Sequence, residues 1–547
     1  MTDASGLVGQ PLAGSQSDSR DQWADDRVSR WLRVFLTLGV LLRLLRFALD
    51  HPLWRDEAFL VANLVDRSFA GLTRPLDFGQ VCPVLFLWGE KAVVGLLGFH
   101  EWSLRVLPTV ASIASLPLFC HLARRLLKGE AVVLAVAILA VGYTPIRHGG
   151  EAKPYATDFL VALGLITLAV EWVRSPSRAG PLWGLAALGP LAVGLSNPSV
   201  FVAASLMLVL VVPVSKTRSG RVIVPFVVCC VGTGATFLGL LRWINAPQGD
   251  HVMSWMRIYW AGSFPPRLVA PLLGWLVRVH TSQMFAYPAG GDRGASTLTF
   301  ALVVVAVVAY LRRGSKSVLA LLLTPFALGL IAAGLGRYPY GGSARTMQYV
   351  APAIILLAGL GAAVLLARLP RPSWRDRSFR LVASGLLVMG LGLGGWDWTH
   401  PYKAVEDQTA RDFAHRVWAE TSPGAEVLCA RGDLKLPLNP LVWEGERAAF
   451  YLCYRAIDRD RHHRPASPRL DRISAAHPLR VVVFGSAPGD QVAMAAWVHQ
   501  NMRYRLRSKR EEVLNAGLMQ NKAPVEDRYT IYELVPDDRT MLISREN

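Results

Sequence analysis

Trp54-Arg55-Asp56-Glu57-Ala58 places two adjacent carboxylates just after the first long apolar run of this 547-residue chain. A hydroxyl is a poor nucleophile, and a carboxylate within hydrogen-bond reach can take its proton as it attacks an activated carbon. Asp56 and Glu57 are therefore the first catalytic candidates. A second reading stays open, in which the pair marks a helix N-terminus and Asp56 caps a helix starting at Glu57. His148-Gly149-Gly150-Glu151-Ala152-Lys153-Pro154-Tyr155, with Asp158 just beyond, forms a second cluster. Ionisable side chains at the edge of an apolar run are expensive in lipid and tend to face a polar cavity, which makes Glu151, Tyr155 and Asp158 candidate substrate-binding groups. Glu151 and Asp158 share a face if one helix holds both, while Pro154 favours a helix that begins near it. In the competing reading Lys153 snorkels to lipid phosphate and pairs with Glu151. A third segment, Arg337-Tyr338-Pro339-Tyr340-Gly341-Gly342-Ser343-Ala344-Arg345, joins two glycine amides, a helix start and Arg345, the parts of a phosphate site. A flexible turn with a head-group-binding arginine reads equally well. His148, Lys153 and Arg345 are the cationic candidates for an anionic group.

The elements that must hold these residues are membrane helices. The chain is 52% hydrophobic and 18% charged, and its mean hydropathy is positive, a composition outside the soluble class. Apolar runs fall at Trp31 to Leu49, Arg105 to Leu127, Ala131 to Ile146, Ala156 to Val173, Pro181 to Leu195 and Val200 to Val214. They continue at Val222 to Leu241, Leu298 to Leu311, Val318 to Leu335, Met347 to Leu366 and Leu381 to Gly395. This predicts a polytopic α-helical membrane protein with about eleven crossings. With the N-terminus inside, every inner loop is basic: Arg124/Arg125/Lys128, Arg174/Arg178, Lys216/Arg218/Arg221, Arg312/Arg313/Lys316 and the arginines from Arg368 to Arg380. The outer connections are poorer in Lys and Arg, so the positive-inside rule gives one consistent orientation in a plasma (inner) membrane. All three candidate clusters then lie outside.

The expected organisation is a disordered cytoplasmic tail over 1–30, a transmembrane module over 31–395, and an extracytoplasmic domain over 396–547. The module carries outer loops at about 50–104 and 242–297. Trp54, Phe59, Leu60 and Leu64, then Phe86, Trp88, Val93 and Leu97, give the first loop amphipathic helices lying in the interface. In the tail, Ala410 to Glu420 and Gln491 to Met502 read as helices, and Glu426 to Ala430, Arg480 to Phe484 and Tyr529 to Val535 as strands. The domain is therefore expected to be a small α/β unit. The net charge of +18 sits between apolar runs, which points to anionic lipid head groups and away from nucleic acid. Gly390, Gly392, Gly394 and Gly395 end an apolar run and read as helix packing or termination. Cys429 and Cys453 would be free to form a disulfide in an oxidising compartment, or stay as buried thiols. No H-E-x-x-H, P-loop or G-x-S-x-G pattern occurs, and no metal site is expected.

With these residues in place the chain resembles the C-type (GT-C) glycosyltransferases, especially bacterial relatives of the protein O-mannosyltransferases and of the lipid A aminoarabinose transferase. The resemblance rests on Trp54 to Ala58 after the first span, on Pro83-Val84-Leu85-Phe86-Leu87-Trp88, and on a G-x-x-E-x-x-x-R-x-x-P element from Gly98 through Glu101 and Arg105 to Pro108. It continues at Leu122-Ala123-Arg124-Arg125-Leu126 and at Glu151-Ala152-Lys153-Pro154-Tyr155, similar to an E-A-R-P-Y-like outer segment. It covers about residues 31 to 215, and topology carries it to about 395. Lys153 stands where the family usually has arginine, and Cys82-Pro83 where it often has His-Pro or Pro-Pro. The resemblance implies inverting transfer of a sugar from a polyprenyl-phosphate donor to a protein, glycolipid or polysaccharide hydroxyl. Asp56 would act as base, with Glu57 orienting the acceptor or a basic partner, and Lys153 or Arg345 would balance the departing phosphate. It further implies no required cofactor, a divalent cation being an option used by part of the superfamily. From the residues alone a transporter or lipid flippase, with Asp158 coupling to ions, is the alternative.

Overall fold

The computed structural model describes residues 19–76, 80–245, 256–291, 294–314 and 316–403, and beyond them four strands with scattered residues between 407 and 420 and between 495 and 499. Each of the apolar runs falls on a helix. These are α1 (Ser19–Ala48), α4 (Val106–Leu126), the pair α5 (Glu130–Val141) and α6 (Tyr143–Gly149), α7 (Tyr155–Arg174), α8 (Gly180–Leu195), α9 (Ser199–Thr217) and α10 (Gly220–Leu240). After the connecting helix α11 (Val269–His280) come α12 (Thr297–Arg313), α13 (Lys316–Gly334), α14 (Ala351–Ala367) and α15 (Pro372–Thr399). The loop between α1 and α4 adds α2 (Arg55–Asp66) and α3 (Val84–Leu97). Among the described residues six helices are long and apolar enough to cross a bilayer, or seven if the α5 and α6 pair, bent by 47°, is one span. The other expected crossings fall on α8, α12 and α14, which are shorter, and on α1, whose apolar stretch is interrupted by Arg33, Arg43 and Arg46.

The bend between α5 and α6 has a local cause. Pro145 has no N–H to give the carbonyl of Val141, and the Tyr143 N–H bonds to the Pro288 carbonyl at 2.9 Å instead of continuing the helix. Arg43 of α1 serves carbonyls left over at the break, reaching Leu139 at 3.2 Å and Ala140 at 3.1 Å, and also bonds the Gly39 carbonyl of its own helix at 2.9 Å, with its Nε on Ser112 Oγ at 2.8 Å. Broken helices at membrane depth are tolerated where other groups re-satisfy the freed backbone. The break turns the end of α6, with Arg147 and His148, toward the site described below.

Helix α5 is apolar all round, and every residue from Ala131 to Val141 is buried, as expected of a central helix. It packs against α1, α4, α14 and α15. Glycines let these backbones approach: a Cβ at Gly359 would lie 2.5 Å from Ala135, and one at Gly390 would lie 2.6 Å from Val141. Gly394 likewise faces Leu42, whereas Gly392 and Gly395 have nothing within 4 Å. The glycine cluster is thus a packing face of alternate small residues, with two members on it and two off it.

The two ends of the bundle differ. At one, Arg125 pairs with Glu171 at 2.6 Å and Arg174 reaches the Arg125 carbonyl at 2.7 Å, while Arg27 joins Glu130 and Asp376. The other end gathers the C-terminus of α1, α2, the start of α4, the end of α6, the start of α7 and the end of α15. There Asp397 binds Arg147 at 3.0 Å and Arg46 at 3.5 Å.

A four-stranded sheet caps this second end. Its order is β1 (Glu426–Arg431), β2 (Leu479–Phe484), β4 (Glu526–Pro536) and β3 (Tyr504–Asn515), with β1 and β2 parallel and the other pairs antiparallel. Leu60, Leu64, Phe86 and Leu87 of the loop between α1 and α4 share one apolar cluster with Phe413, Val417, Val482 and Ile531, so the sheet rests on α2 and α3. The strands expected at Glu426, Arg480 and Tyr529 are present. Strand β3 was not expected, because Arg505, Arg507, Lys509, Arg510, Glu511 and Glu512 erase the apolar alternation. It is held through β4 on one side, and charge on a sheet edge discourages further pairing. The helices expected at Ala410 to Glu420 and Gln491 to Met502 lie largely, and the pairing of Cys429 with Cys453 entirely, outside the described residues. Cys82, Cys120, Cys229 and Cys230 are free thiols.

Candidate active site

The first turn of α2 separates the two adjacent carboxylates. The helix starts at Arg55, and it is Glu57 that folds back to cap it, accepting the Trp54 N–H at 3.0 Å on Oε2. The reading with Asp56 as cap is corrected on this point: the acceptor reaching the first free N–H belongs three positions into the turn. Oε1 of Glu57 accepts the Ala152 N–H at 2.6 Å, and Arg105 Nη2 lies 3.7 Å from Oε2. Glu57 is fully buried. Burial pushes its carboxyl up despite Arg105, and Glu151 adds to the effect. Arg105, also fully buried, is the arginine of the Gly98 to Pro108 element, and it donates to the His51 carbonyl at 2.5 Å. The element thus locks the start of α2 to the turn before α7.

Asp56 looks the other way, and its side chain stays 30% exposed. Lys153 Nζ lies 3.2 Å from Oδ1 and Arg345 Nη1 lies 3.6 Å from Oδ2. Burial pushes the Asp56 carboxyl up, but Lys153, Arg345 and Lys403 outweigh it and hold it below its ordinary value. Asp56 is therefore an anion with a cation near each oxygen. The first-loop, second-cluster and Arg345 segments, far apart in sequence, meet at this one carboxylate.

Lys153 is also bonded to Gln80 Oε1 at 2.7 Å. The expected pairing of Lys153 with Glu151 does not form. Glu151 instead faces Lys403 Nζ at 3.5 Å and His148 Nδ1 at 3.3 Å. Burial would raise its carboxyl, but Lys403, His148 and Arg345 bring it well below the ordinary range. Helix α7 begins at Tyr155 with Pro154 as its N-cap, so Glu151 and Asp158 are not on one helical face: a proline-led start leaves Glu151 in the preceding turn. Tyr155 packs edge-on to His148 with ring centroids 5.1 Å apart. Asp158, 4% exposed, sits in the first turn of α7, and its Oδ1 has no hydrogen-bond partner. Gly341 and Gly342 are needed for close packing: the former has φ +74° and faces Val279, and a Cβ on the latter would overlap Ser263.

Several site residues are not signalled by the sequence. Trp54 lies under two cations, with Lys403 Nζ 3.4 Å and Arg345 Cζ 5.1 Å from its ring centroid, and Arg345 also lies 5.3 Å from the Trp260 ring. Cation and ring faces attract at such distances. Lys403 follows the last helix, in a stretch without any motif, and only the fold brings it here. Lys153, Arg345 and Lys403 thus face Asp56 and Glu151. Among the described residues no group of three or more His, Cys, Asp or Glu side chains is placed to hold a metal ion.

Fold and site together define a largely α-helical, multi-spanning membrane protein with a small C-terminal sheet, whose partly exposed charge cluster lies at the sheet-capped end of the bundle. No family model and no curated protein matches the sequence. Among solved structures, ArnT from Cupriavidus metallidurans is similar over 92% of this chain and 98% of its own, with a TM-score of 0.53 both in the apo state, at 14% identity, and bound to undecaprenyl phosphate, at 13%. The oligosaccharyltransferase of Archaeoglobus fulgidus is similar over 73% of this chain and 62% of its own, with a TM-score of 0.42 and 12% identity. The likeness to ArnT shows a shared fold.

Proposed function

We propose that this chain is a membrane glycosyltransferase that moves a sugar from a polyprenyl-phosphate donor to an acceptor hydroxyl, with inversion, at the outer face of the membrane. The observation that carries this reading is Asp56, a partly exposed carboxylate ion-paired to Lys153 and Arg345 at the end of a bundle whose fold is shared with ArnT. One solved form of ArnT is bound to undecaprenyl phosphate, which supports a lipid phosphate as the donor's leaving part. About eleven crossings with the N-terminus inside would put the site outside, and the basic residues at the opposite end of the bundle, such as Arg125 and Arg174, support that orientation.

Asp56 accepts the proton of the acceptor hydroxyl as its oxygen attacks the anomeric carbon from the face opposite the phosphate. The bond from that carbon to the phosphate oxygen breaks, and its electron pair stays on the polyprenyl phosphate, which goes from one negative charge to two. Lys153 and Arg345 neutralise that growing charge, with His148 beside them. Glu57 positions Asp56 through Trp54 and Arg105, while Glu151, Tyr155 and Asp158 line the space for sugar and acceptor. The test is transfer from a labelled polyprenyl-phosphate hexose in membranes, comparing the parent with Asp56→Asn at equal expression. Transfer by the parent that falls at least about a hundredfold in the variant supports the reading. No transfer by either, across several donors, overturns it.

A further inference from the structure

The pocket is built from the spans and their outer loops except for one side chain. Lys403 enters it from the segment that leaves α15 for the C-terminal domain. The end of α15 is anchored close by: Arg147 holds Asp397 at 3.0 Å and the His400 carbonyl at 3.2 Å, and Arg46 donates to the Pro401 carbonyl at 2.7 Å. These contacts fix the residues just before Lys403 and aim it at the site. Its ammonium then rests over the Trp54 ring and 3.5 Å from Glu151, close enough to Asp56 and Arg345 to act on both electrostatically. It keeps 35% of its side chain exposed, more than Lys153 at 7% or Arg345 at 15%.

These placements distinguish Lys403 from the other two cations. Lys153 and Arg345 are both engaged with Asp56, so each is shared between the base and a bound anion. Lys403 is paired with Glu151 and a ring face and acts on Asp56 only at longer range, so it can take an anion without breaking an ion pair of the base. An aromatic face holds an ammonium without consuming its N–H donors, which leaves them free for phosphate oxygens.

We infer that Lys403 is a ligand of the lipid phosphate, so that the segment leading into the C-terminal domain completes the donor site. This rests on the function proposed above and adds to it a third cation supplied from outside the transmembrane module. As the leaving phosphate gains its second charge, Lys403 adds a third counter-charge to those of Lys153 and Arg345, which are shared with Asp56.

The experiment measures undecaprenyl phosphate binding to the full chain in lipid nanodiscs by the quenching of tryptophan fluorescence, for the parent, Lys403→Met, Lys403→Arg and Glu151→Gln. Loss of one charge-assisted contact weakens binding about tenfold in Lys403→Met, and arginine restores most of it. Glu151→Gln, which releases Lys403 from its carboxylate, binds as tightly as the parent or more tightly. If Lys403 only holds Glu151 in place, Lys403→Met and Glu151→Gln change together and in the same direction, and the inference is overturned. It is equally overturned if Lys403→Met binds as the parent does. A parent that binds no undecaprenyl phosphate removes both the inference and the proposed donor class, whereas tight binding by parent and Lys403→Met alike removes the inference alone. Should Lys403→Met fail to fold, Lys403→Gln takes its place with the same expected loss.

Discussion

Replacing Asp56 by asparagine moves two measurable quantities in opposite directions. The side chains are nearly isosteric, so Lys153 at 3.2 Å and Arg345 at 3.6 Å keep a polar neighbour but lose the charge that holds them. A bond to a charged group contributes about 1.5 to 3 kcal/mol where it is shielded from water. Asp56 is 30% exposed, and solvent screening brings each pair toward the lower end, about 1 kcal/mol. In the parent a lipid phosphate must compete with Asp56 for both cations; in the variant that competition is gone. Two such terms together correspond to roughly tenfold tighter binding of undecaprenyl phosphate, since about 1.4 kcal/mol is tenfold and the gains are only partly additive. Over the same change the chemical step loses its base and slows by about a hundredfold or more. Fluorescence titration in nanodiscs gives the first quantity and single-turnover transfer of labelled sugar gives the second. A variant that binds more weakly and transfers more slowly would mean that Asp56 merely supports the pocket, and the assignment of the base would be abandoned.

Glu90→Gln should stabilise the protein, and increasingly so at higher pH. Glu90 is 1% exposed with neither oxygen partnered, and burial with Glu57 nearby holds its acid form well above the ordinary range. Because the folded value is the higher one, its contribution is intact below the unfolded value, about 4.3 for glutamate, and is lost as pH rises above it at about 1.4 kcal/mol per pH unit. Melting curves at pH 5 and pH 7 that show the same gain would refute this. On α15, Gly390→Val should cost about 1 to 3 kcal/mol by overpacking against Val141, whereas Gly392→Ala, with open space around it, should be neutral or slightly stabilising; equal melting shifts in detergent would contradict the packing face. Arg43→Met should destabilise by about 3 kcal/mol or more by leaving the Leu139 and Ala140 carbonyls unserved inside the bundle. An unchanged melting temperature would show that the bend in α5 and α6 does not depend on it.

How much was legible in the sequence follows from which signals are local. The helices were readable because each carries its own apolar run, and the run at Ala131 to Ile146 contained its own break in Gly142 and Pro145. Asp56, Lys153 and Arg345 were readable as candidates because ionisable groups beside apolar runs are costly and therefore informative. Their meeting at one carboxylate was not readable, since no spacing relates residues 56, 153 and 345. Glu57 and Asp56 are adjacent and chemically alike, and only the turn geometry of α2 gives one to the cap and the other to the pocket. Strand β3 hid because an edge strand with charged faces has no period to detect.

Lys403 is the most instructive omission. No motif surrounds it in sequence, and it belongs to a segment that reads as a connection between a span and a domain. Its place over Trp54 is set by Asp397, Pro401 and His400, whose partners Arg46 and Arg147 lie on α1 and α6. The ties that aim it therefore join the first, middle and last helices of the bundle. A residue positioned this way depends on the whole transmembrane fold being closed. It follows that loosening the Asp397 cluster, for instance by Asp397→Asn, should weaken lipid phosphate binding through Lys403 while the bonds of Glu57 to Trp54 and Ala152 hold Asp56 where it is. In nanodiscs this would appear as weaker undecaprenyl phosphate binding with single-turnover transfer at saturating donor largely retained; loss of saturated transfer in equal proportion would place the cluster's effect on the base instead.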